Sequence, residues 1–78
     1  MLSLKIRSPF VIDAFNDMLI EIAEQKNFYE YHITSHNQIN GLKRYMVEFY
    51  DENEDIIFTG TIDMWKEDEK IYVEFTEL

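Results

Sequence analysis

The fold is decided by residues 8–26, SPFVIDAFNDMLIEIAEQK, because the hydrophobic pattern there has the period of a helix. Ser8 is a good N-cap, and Pro9 fits the first helical position, where its missing N–H costs no hydrogen bond. From Phe10 to about Lys26, apolar residues form one stripe, and the opposite side carries four acids, Asp13, Asp17, Glu21 and Glu24. The pattern predicts one amphipathic helix.

Strands are predicted on both sides of this helix. Before it, Leu2, Leu4 and Ile6 alternate with polar residues. After it come four segments rich in aromatic and β-branched residues: Phe28 to Ser35, Leu42 to Tyr50, Ile56 to Trp65 and Ile71 to Thr76. Consecutive strands with short connections favour an antiparallel meander. The sequence therefore predicts an α+β fold, with one helix packed on an antiparallel sheet in the order β-α-β-β-β-β.

The turns determine which residues face the helix. A two-residue loop at Asn40-Gly41 would mix core and solvent faces, so we expect a three-residue loop from Ile39 to Gly41, or a bulge. Tight turns at Asn53-Glu54 and Glu67-Asp68 keep the faces consistent. These turns predict the pairs Tyr31–Phe49, Ile33–Val47, Ser35–Tyr45, Phe49–Phe58 and Met64–Ile71.

The predicted inward face is almost entirely apolar. It consists of Tyr31, Ile33, Tyr45, Val47, Phe49, Phe58, Gly60, Ile62, Met64, Ile71, Val73 and Phe75. Gly60 has no side chain, so we expect it either to allow close approach of the helix or to mark a bulge.

The opposite face combines carboxylates with large apolar groups: Met46, Glu48, Tyr50, Ile57, Asp63, Trp65, Tyr72 and Glu74. Aromatic residues beside charges are typical of protein-recognition surfaces, where Trp and Tyr anchor a partner and charges select it. The alternative is an ordinary solvated sheet face with scattered apolar residues.

The composition limits the class of protein. The chain has 78 residues, 7 Lys+Arg against 16 Asp+Glu, a net charge of −9 and no cysteine. This length suits one domain, residues 1–78, and is too short for a nucleotide-binding α/β sheet or a barrel enzyme.

Because the chain has no cysteine, disulfides, thiol nucleophiles and cysteine zinc sites are excluded. The negative charge argues against direct binding to nucleic acid or to an anionic membrane. With no signal peptide in view, we expect a cytoplasmic protein.

The charge is unevenly distributed along the chain. Residues 1–44 hold five basic and five acidic residues and sum to zero, whereas residues 45–78 hold two basic and eleven acidic residues and sum to −9. The acidic excess therefore lies in the last three predicted strands and their loops.

The order of the elements resembles the cystatin and monellin fold over nearly the whole chain, at the level of topology. Cystatins that inhibit papain-like proteases carry Q-x-V-x-G in the first hairpin after the helix. Here the matching stretch is Gln38-Ile39-Asn40-Gly41, one residue shorter and without the valine. The resemblance implies the architecture, and it implies a cystatin-like protease inhibitor as an alternative function.

Catalytic and metal-binding patterns are weak. Asp51, Asn53 and Asp55 begin like a calcium loop, but the glycine and the bidentate glutamate that such a loop requires are replaced by Ile56 and Ile62. His32 and His36 are too far apart on a strand to bind one metal, so we interpret one of them as a sheet-face residue and the other as a loop residue. An open sheet offers no pocket that would raise the pKa of a carboxylate for catalysis. We therefore expect no enzymatic activity, no metal and no cofactor.

The sequence best fits a small acidic binding protein that mimics nucleic-acid charge and blocks a basic nucleic-acid-binding enzyme, of the anti-defence type made by phages and mobile elements. Alternatives are the cystatin-like inhibitor, an immunity protein against a nuclease toxin, and a subunit that dimerises through the open sheet face. The predicted partner-binding residues are Glu48, Tyr50, Asp51, Glu52, Glu54, Asp55, Asp63, Trp65, Glu67, Asp68, Glu69, Tyr72 and Glu74.

Overall fold

The structure, a computed structural model, describes residues 1–9 and 11–78. Its elements are β1 (Ser3–Ser8), α1 (Val11–Gln25), β2 (Glu30–Ile39), β3 (Leu42–Tyr50), β4 (Ile56–Glu67) and β5 (Lys70–Glu77). One helix packs against a five-stranded antiparallel sheet, so the predicted α+β class and the order β-α-β-β-β-β are confirmed. The predicted first residue of the helix, Phe10, lies outside the described residues.

The sheet has the strand order β1-β5-β4-β3-β2, so the first strand joins the last one. Glu77 closes this contact. Its carboxylate accepts a hydrogen bond from the Leu2 amide at 2.9 Å and forms an ion pair with Lys26 Nζ at 2.7 Å, just after the helix. These contacts lower the pKa of Glu77, the lysine contact most strongly and the Leu2 amide next.

The hydrophobic core lies between α1 and the strands β1, β5 and β4. From the helix, Ala14, Met18 and Ile22 recur at four-residue spacing and are fully buried. From the sheet come residues of the predicted inward face: Val47, Phe49, Phe58, Ile62, Met64, Ile71, Val73 and Phe75. Among the described residues, the helix backbone makes no close approach to β2, although the Phe15 ring reaches the ring of Tyr31, with centroids 6.1 Å apart. Tyr31 and Ile33, predicted to be in the core, are therefore 37% and 46% exposed, and Tyr45 is half-buried.

Gly60 serves a purpose that differs from both expectations. A Cβ at this position would lie 2.3 Å from the ring of Phe75 and 2.7 Å from the Thr76 carbonyl oxygen. An aromatic ring of the neighbouring strand thus covers the glycine, and neither the helix nor a bulge accounts for it.

The first hairpin contains a bulge, one of the two expected solutions. The pairs Tyr31–Phe49 and Ile33–Val47 are confirmed, and the register shifts between Ile33 and Ser35. The predicted Ser35–Tyr45 pair is wrong, because His36 lies opposite Tyr45. Asn40 and Gly41 form a two-residue turn with φ angles of 48° and 83°. Asn-Gly favours this tight two-residue turn. The bulge in β2 then brings the core-facing residues of the two strands opposite each other.

The other two turns lie close to their predicted positions. The Phe49–Phe58 pair is confirmed, but the connection is a five-residue loop from 51 to 55 followed by a register shift. The last turn is Asp68-Glu69, one residue later than predicted, and Met64 therefore pairs with Val73 and not with Ile71. This changes the pairing by two residues, so the predicted faces of β4 and β5 are unaffected.

Candidate functional site

The sheet face opposite α1, here called the outer face, is not covered by any of the described elements. Cross-strand pairing brings together on this face basic residues that were not predicted to lie there and the six predicted partner-binding residues of the strands: Glu48, Tyr50, Asp63, Trp65, Tyr72 and Glu74. One row crosses four strands in the order Lys5, Glu74, Asp63 and Arg44. Two carboxylates at its centre are flanked by two cations, so this row carries no net charge.

Asp63 and Arg44 form a bidentate ion pair on the outer face. Arg44 Nε donates to Oδ1 and an Nη donates to Oδ2, both at 2.8 Å. The hydrogen bond to Asp63, with the attraction between the charges, raises the pKa of Arg44. Asp63 is only 7% exposed, so its charge is neutralised within the fold. Asp63 therefore offers a partner less charge than its sequence position indicated.

Two of the predicted anchors, Trp65 and Tyr72, stack on each other. Their ring centroids are 5.8 Å apart with an interplanar angle of 16°. Lys5 Nζ lies 5.4 Å from the Trp65 centroid and 5.9 Å from that of Tyr72. A cation over aromatic faces is attracted by the ring electrons. Lys5 therefore holds a positive charge over this aromatic pair. The aromatic pair is thus part of a mixed-charge surface.

The third predicted anchor, Tyr50, is paired with Glu48. The Tyr50 hydroxyl donates to Glu48 Oε1 at 2.7 Å, and this hydrogen bond raises the pKa of Tyr50. The His32 ring lies 5.0 Å from the ring of Tyr50.

The two histidines lie on different faces, since His36 stacks on Tyr45 at 4.5 Å on the helix side. The interpretation that one histidine is a loop residue is wrong, because β2 extends to Ile39 and contains both.

The strongest concentration of negative charge is the loop of residues 51–55, here called the acidic loop. It contains four carboxylates and no Lys or Arg: Asp51, Glu52, Glu54 and Asp55. Asp51 organises the loop, since its Oδ1 accepts the Asn53 amide at 2.8 Å and the Asp55 amide at 3.1 Å. The other three carboxylate residues are exposed.

The turn of residues 67–69 is acidic in sequence but not in its surroundings. Glu67, Asp68 and Glu69 are flanked by Lys66 and Lys70, so residues 66–70 have a net charge of 2 − 3 = −1. Asp68 and Glu69 both have positive φ angles, 51° and 64°, which are the backbone angles of a tight hairpin turn. This second cluster is therefore much weaker than the acidic loop.

The two clusters lie at opposite ends of β4. This strand has twelve residues, so at a rise of ~3.3 Å per residue its ends are about 36 Å apart. The longest dimension of the molecule is 41 Å. The predicted partner-binding residues thus extend along the whole molecule and do not form one compact patch.

The acidic loop adjoins apolar residues that the sequence analysis did not assign to a site. The apolar residues are Phe28, Tyr29 and Ile57, which line an open cavity of about 220 Å³ together with Asn27, Asp51 and Glu52. Tyr29 is 69% exposed and Ile57 is 44% exposed. Tyr29 was placed inside a strand, whereas β2 begins one residue later, and this hid its proximity to the loop. An exposed aromatic ring beside carboxylates provides apolar contact area at the most acidic part of the chain.

Some chemistry has no support from the geometry. Across residues 1–9 and 11–78, no three side chains of His, Asp or Glu converge as metal ligands. Within the same residues, no helix has the length and apolarity needed to cross a membrane. The helix acids are separate from the outer face, and Asp17 accepts a hydrogen bond from the Ser8 hydroxyl at 3.3 Å.

Comparison with known proteins gives no relatives: no family model, no curated protein and no solved structure matches the chain. The resemblance to cystatins therefore rests on the order of the elements alone.

Proposed function

We propose that this protein is an acidic binding protein that occupies a basic, nucleic-acid-binding surface of another protein. The observation that carries the proposal is the acidic loop, where four carboxylates lie within five residues that include no Lys or Arg, beside the exposed Tyr29 and Ile57. Such a surface is complementary to a basic groove that also accepts bases or sugars.

The arrangement of charge supports a mimic of nucleic acid. The acidic loop and the turn of residues 67–69 are about 36 Å apart, close to the ~34 Å of one turn of B-DNA. A basic groove that contacts phosphates one helical turn apart would meet both clusters. The acidic loop would supply most of the attraction, because lysines neutralise the other end.

The rigidity of the loop supports the same function. Besides its side-chain contacts, the Asp51 amide donates to the Asp55 carbonyl at 3.0 Å, and the Asp51 carbonyl accepts from the Glu54 amide at 3.1 Å. Charges held in a fixed loop lose less conformational entropy on binding than charges on a flexible tail. Inhibition then requires occupancy of the groove and no chemical reaction.

The proposal is tested with two variants that remove the same amount of charge. In the loop variant, E52Q, E54Q and D55N are combined and Asp51 is kept, because its carboxylate organises the loop. In the control, three helix acids are changed in D13N, E21Q and E24Q. Both variants have a net charge of −9 + 3 = −6, so any difference between them reports position and not total charge.

The measurement is affinity capture from lysate of the source cell after nuclease treatment, followed by competition with double-stranded DNA. We expect the wild type and the helix variant to capture a basic nucleic-acid-binding protein, DNA to displace it, and the loop variant to lose most of it. Binding should also weaken steeply with salt, since the contacts are charged. Equal capture by both variants, or a captured protein that DNA does not displace, would contradict the proposal.

A further inference from the structure

β2 is an exposed edge strand of the sheet. All ten of its residues are exposed, among them Tyr31, Ile33 and Ile39. It contains no proline, lysine or arginine, the residues that commonly prevent edge pairing. Backbone groups of alternate residues on an antiparallel edge point away from the sheet and are available to another strand. The open hydrogen bonds and the exposed apolar side chains are therefore in the same place.

The charge of this region favours a second copy of the chain as the occupant. Residues 31–47 contain no Asp or Glu and carry Lys43 and Arg44, although the chain as a whole has 16 acids. Two copies of a protein with a charge of −9 repel each other over most orientations. Contact through β2 brings together the segments that lack carboxylates, so this repulsion is smallest there.

The bulge at Thr34 makes the strand compatible with itself. Two identical strands related by a two-fold axis perpendicular to the sheet must pair residues that point to the same side. With the axis between Thr34 and Ser35, Ile33 lies opposite His36 of the second copy, and Tyr31 lies opposite Gln38. These residues all pair with helix-side positions of β3, and the outward pairs His32–Asn37 and Glu30–Ile39 match in the same way.

The same symmetry places unlike ends together. The Glu30 end of β2 lies beside the acidic loop, whereas the Ile39 end lies beside Lys43 in β3. In the antiparallel arrangement, the acidic end of each copy meets the basic end of the other. This charge complementarity distinguishes antiparallel pairing from a parallel one, which would place the two acidic ends side by side.

We propose that two copies of this chain associate by antiparallel pairing of their β2 strands, which joins the five strands of each copy into one continuous sheet. The contact is a pair of strands without helix packing, smaller than the ~800 Å² per partner of a standard interface. Association is therefore reversible and depends on concentration. This inference is independent of the function proposed for the acidic loop.

The test is sedimentation equilibrium over a range of concentrations, with a matched pair of substitutions. Ile33→Lys puts a charge beside the two-fold axis, whereas Ile20→Lys puts the same charge at a similarly exposed position on the helix: the two isoleucines are 46% and 52% exposed. We expect the wild type and I20K to approach twice the 9.5 kDa of the monomer, and I33K to stay monomeric with an unchanged circular dichroism spectrum.

A second measurement does not depend on destabilising the edge. The chain has no cysteine, so Ser35→Cys introduces a single thiol. Across the proposed axis, the two Cα atoms of residue 35 would be roughly 6 Å apart, from the ~4.8 Å strand spacing and an offset of one residue, which suits a disulfide. Mild oxidation should give a covalent dimer. A wild type that is monomeric at millimolar concentration, a dimer disrupted equally by I20K, or an S35C variant that does not cross-link would each overturn the proposal.

Discussion

The two halves of the sheet, from β1 to β4 on one side and β2 on the other, differ in how far the helix covers them. On one side, β1, β5 and β4 lie under the helix; the inward residues of β4 and β5 are nearly all buried, and those of β1 are mostly half-buried. On the other side, β2 extends beyond the helix and is exposed along its whole length. The covered side maintains the fold, whereas the uncovered side and the acidic loop are free to contact other molecules. Substitutions on the two sides should therefore have different consequences.

The largest difference is expected between Phe75→Ala and Tyr31→Ala. Both residues were predicted to face the helix, but Phe75 is fully buried and Tyr31 is 37% exposed. Removing the buried ring leaves a cavity and should lower the free energy of unfolding by about 4 kcal/mol. Removing Tyr31 should cost about 1 kcal/mol or less. Chemical denaturation of both variants measures this contrast, and similar costs would show that the helix covers β2 as well.

A smaller difference is expected between the two glycines. Gly60→Ala brings a methyl group against the Phe75 ring and the backbone of β5, so we expect a loss of about 2 kcal/mol. Gly41 has open space around it but a φ angle of 83°, so Gly41→Ala should cost about 1 kcal/mol, from backbone strain alone. The same denaturation experiment compares them. A G60A variant as stable as the wild type would indicate that the Phe75 ring can move away from the sheet.

The smallest expected effect concerns the contact between β1, β5 and the end of the helix. Contacts with Lys26 and the Leu2 amide lower the pKa of Glu77, so its charged form stabilises the fold. That contribution is complete above the ordinary glutamate pKa of about 4.3 and is lost as the pH falls through the lower value of the folded state. Glu77→Gln removes the charge but keeps an acceptor for Leu2.

Thermal unfolding of the wild type and E77Q at several pH values tests this contribution. We expect the wild type to be more stable by a constant margin between pH 7 and pH 5, and the margin to disappear in more acidic solution. A margin that stays constant throughout the acid range would mean that the carboxylate charge is not its source.

Local sequence patterns predicted the elements and much of the register, because each depends on residues close together in the chain. The helical stripe, the four later strands and the pair Phe49–Phe58 required no long-range information. That pair also implies that Arg44 lies opposite Asp63, so the ion pair could have been found from the sequence. The positions of the bulge in β2 and of the last turn could not be predicted from the sequence, since turns one residue apart have similar propensities.

The remaining features depend on contacts between distant segments. Pairing of β1 with β5 places Lys5 over Trp65 and positions the helix away from β2, and no local pattern indicates that pairing. Exposure of Tyr31 and Ile33 follows from the same event. For this reason the predicted site and the observed one differ. The sequence predicts one acidic aromatic face, whereas the structure has a charge-balanced face with an acidic loop at one end.

Amide hydrogen exchange followed by NMR tests the division between the two sides most directly. In dilute solution, the amides of β4 and β5 should exchange slowest, and those of β2 should exchange much faster, because they lie at an open edge. At high concentration, β2 amides should become protected while the acidic loop stays unchanged. Slow exchange in β2 at dilution, equal to that in β4, would contradict the account.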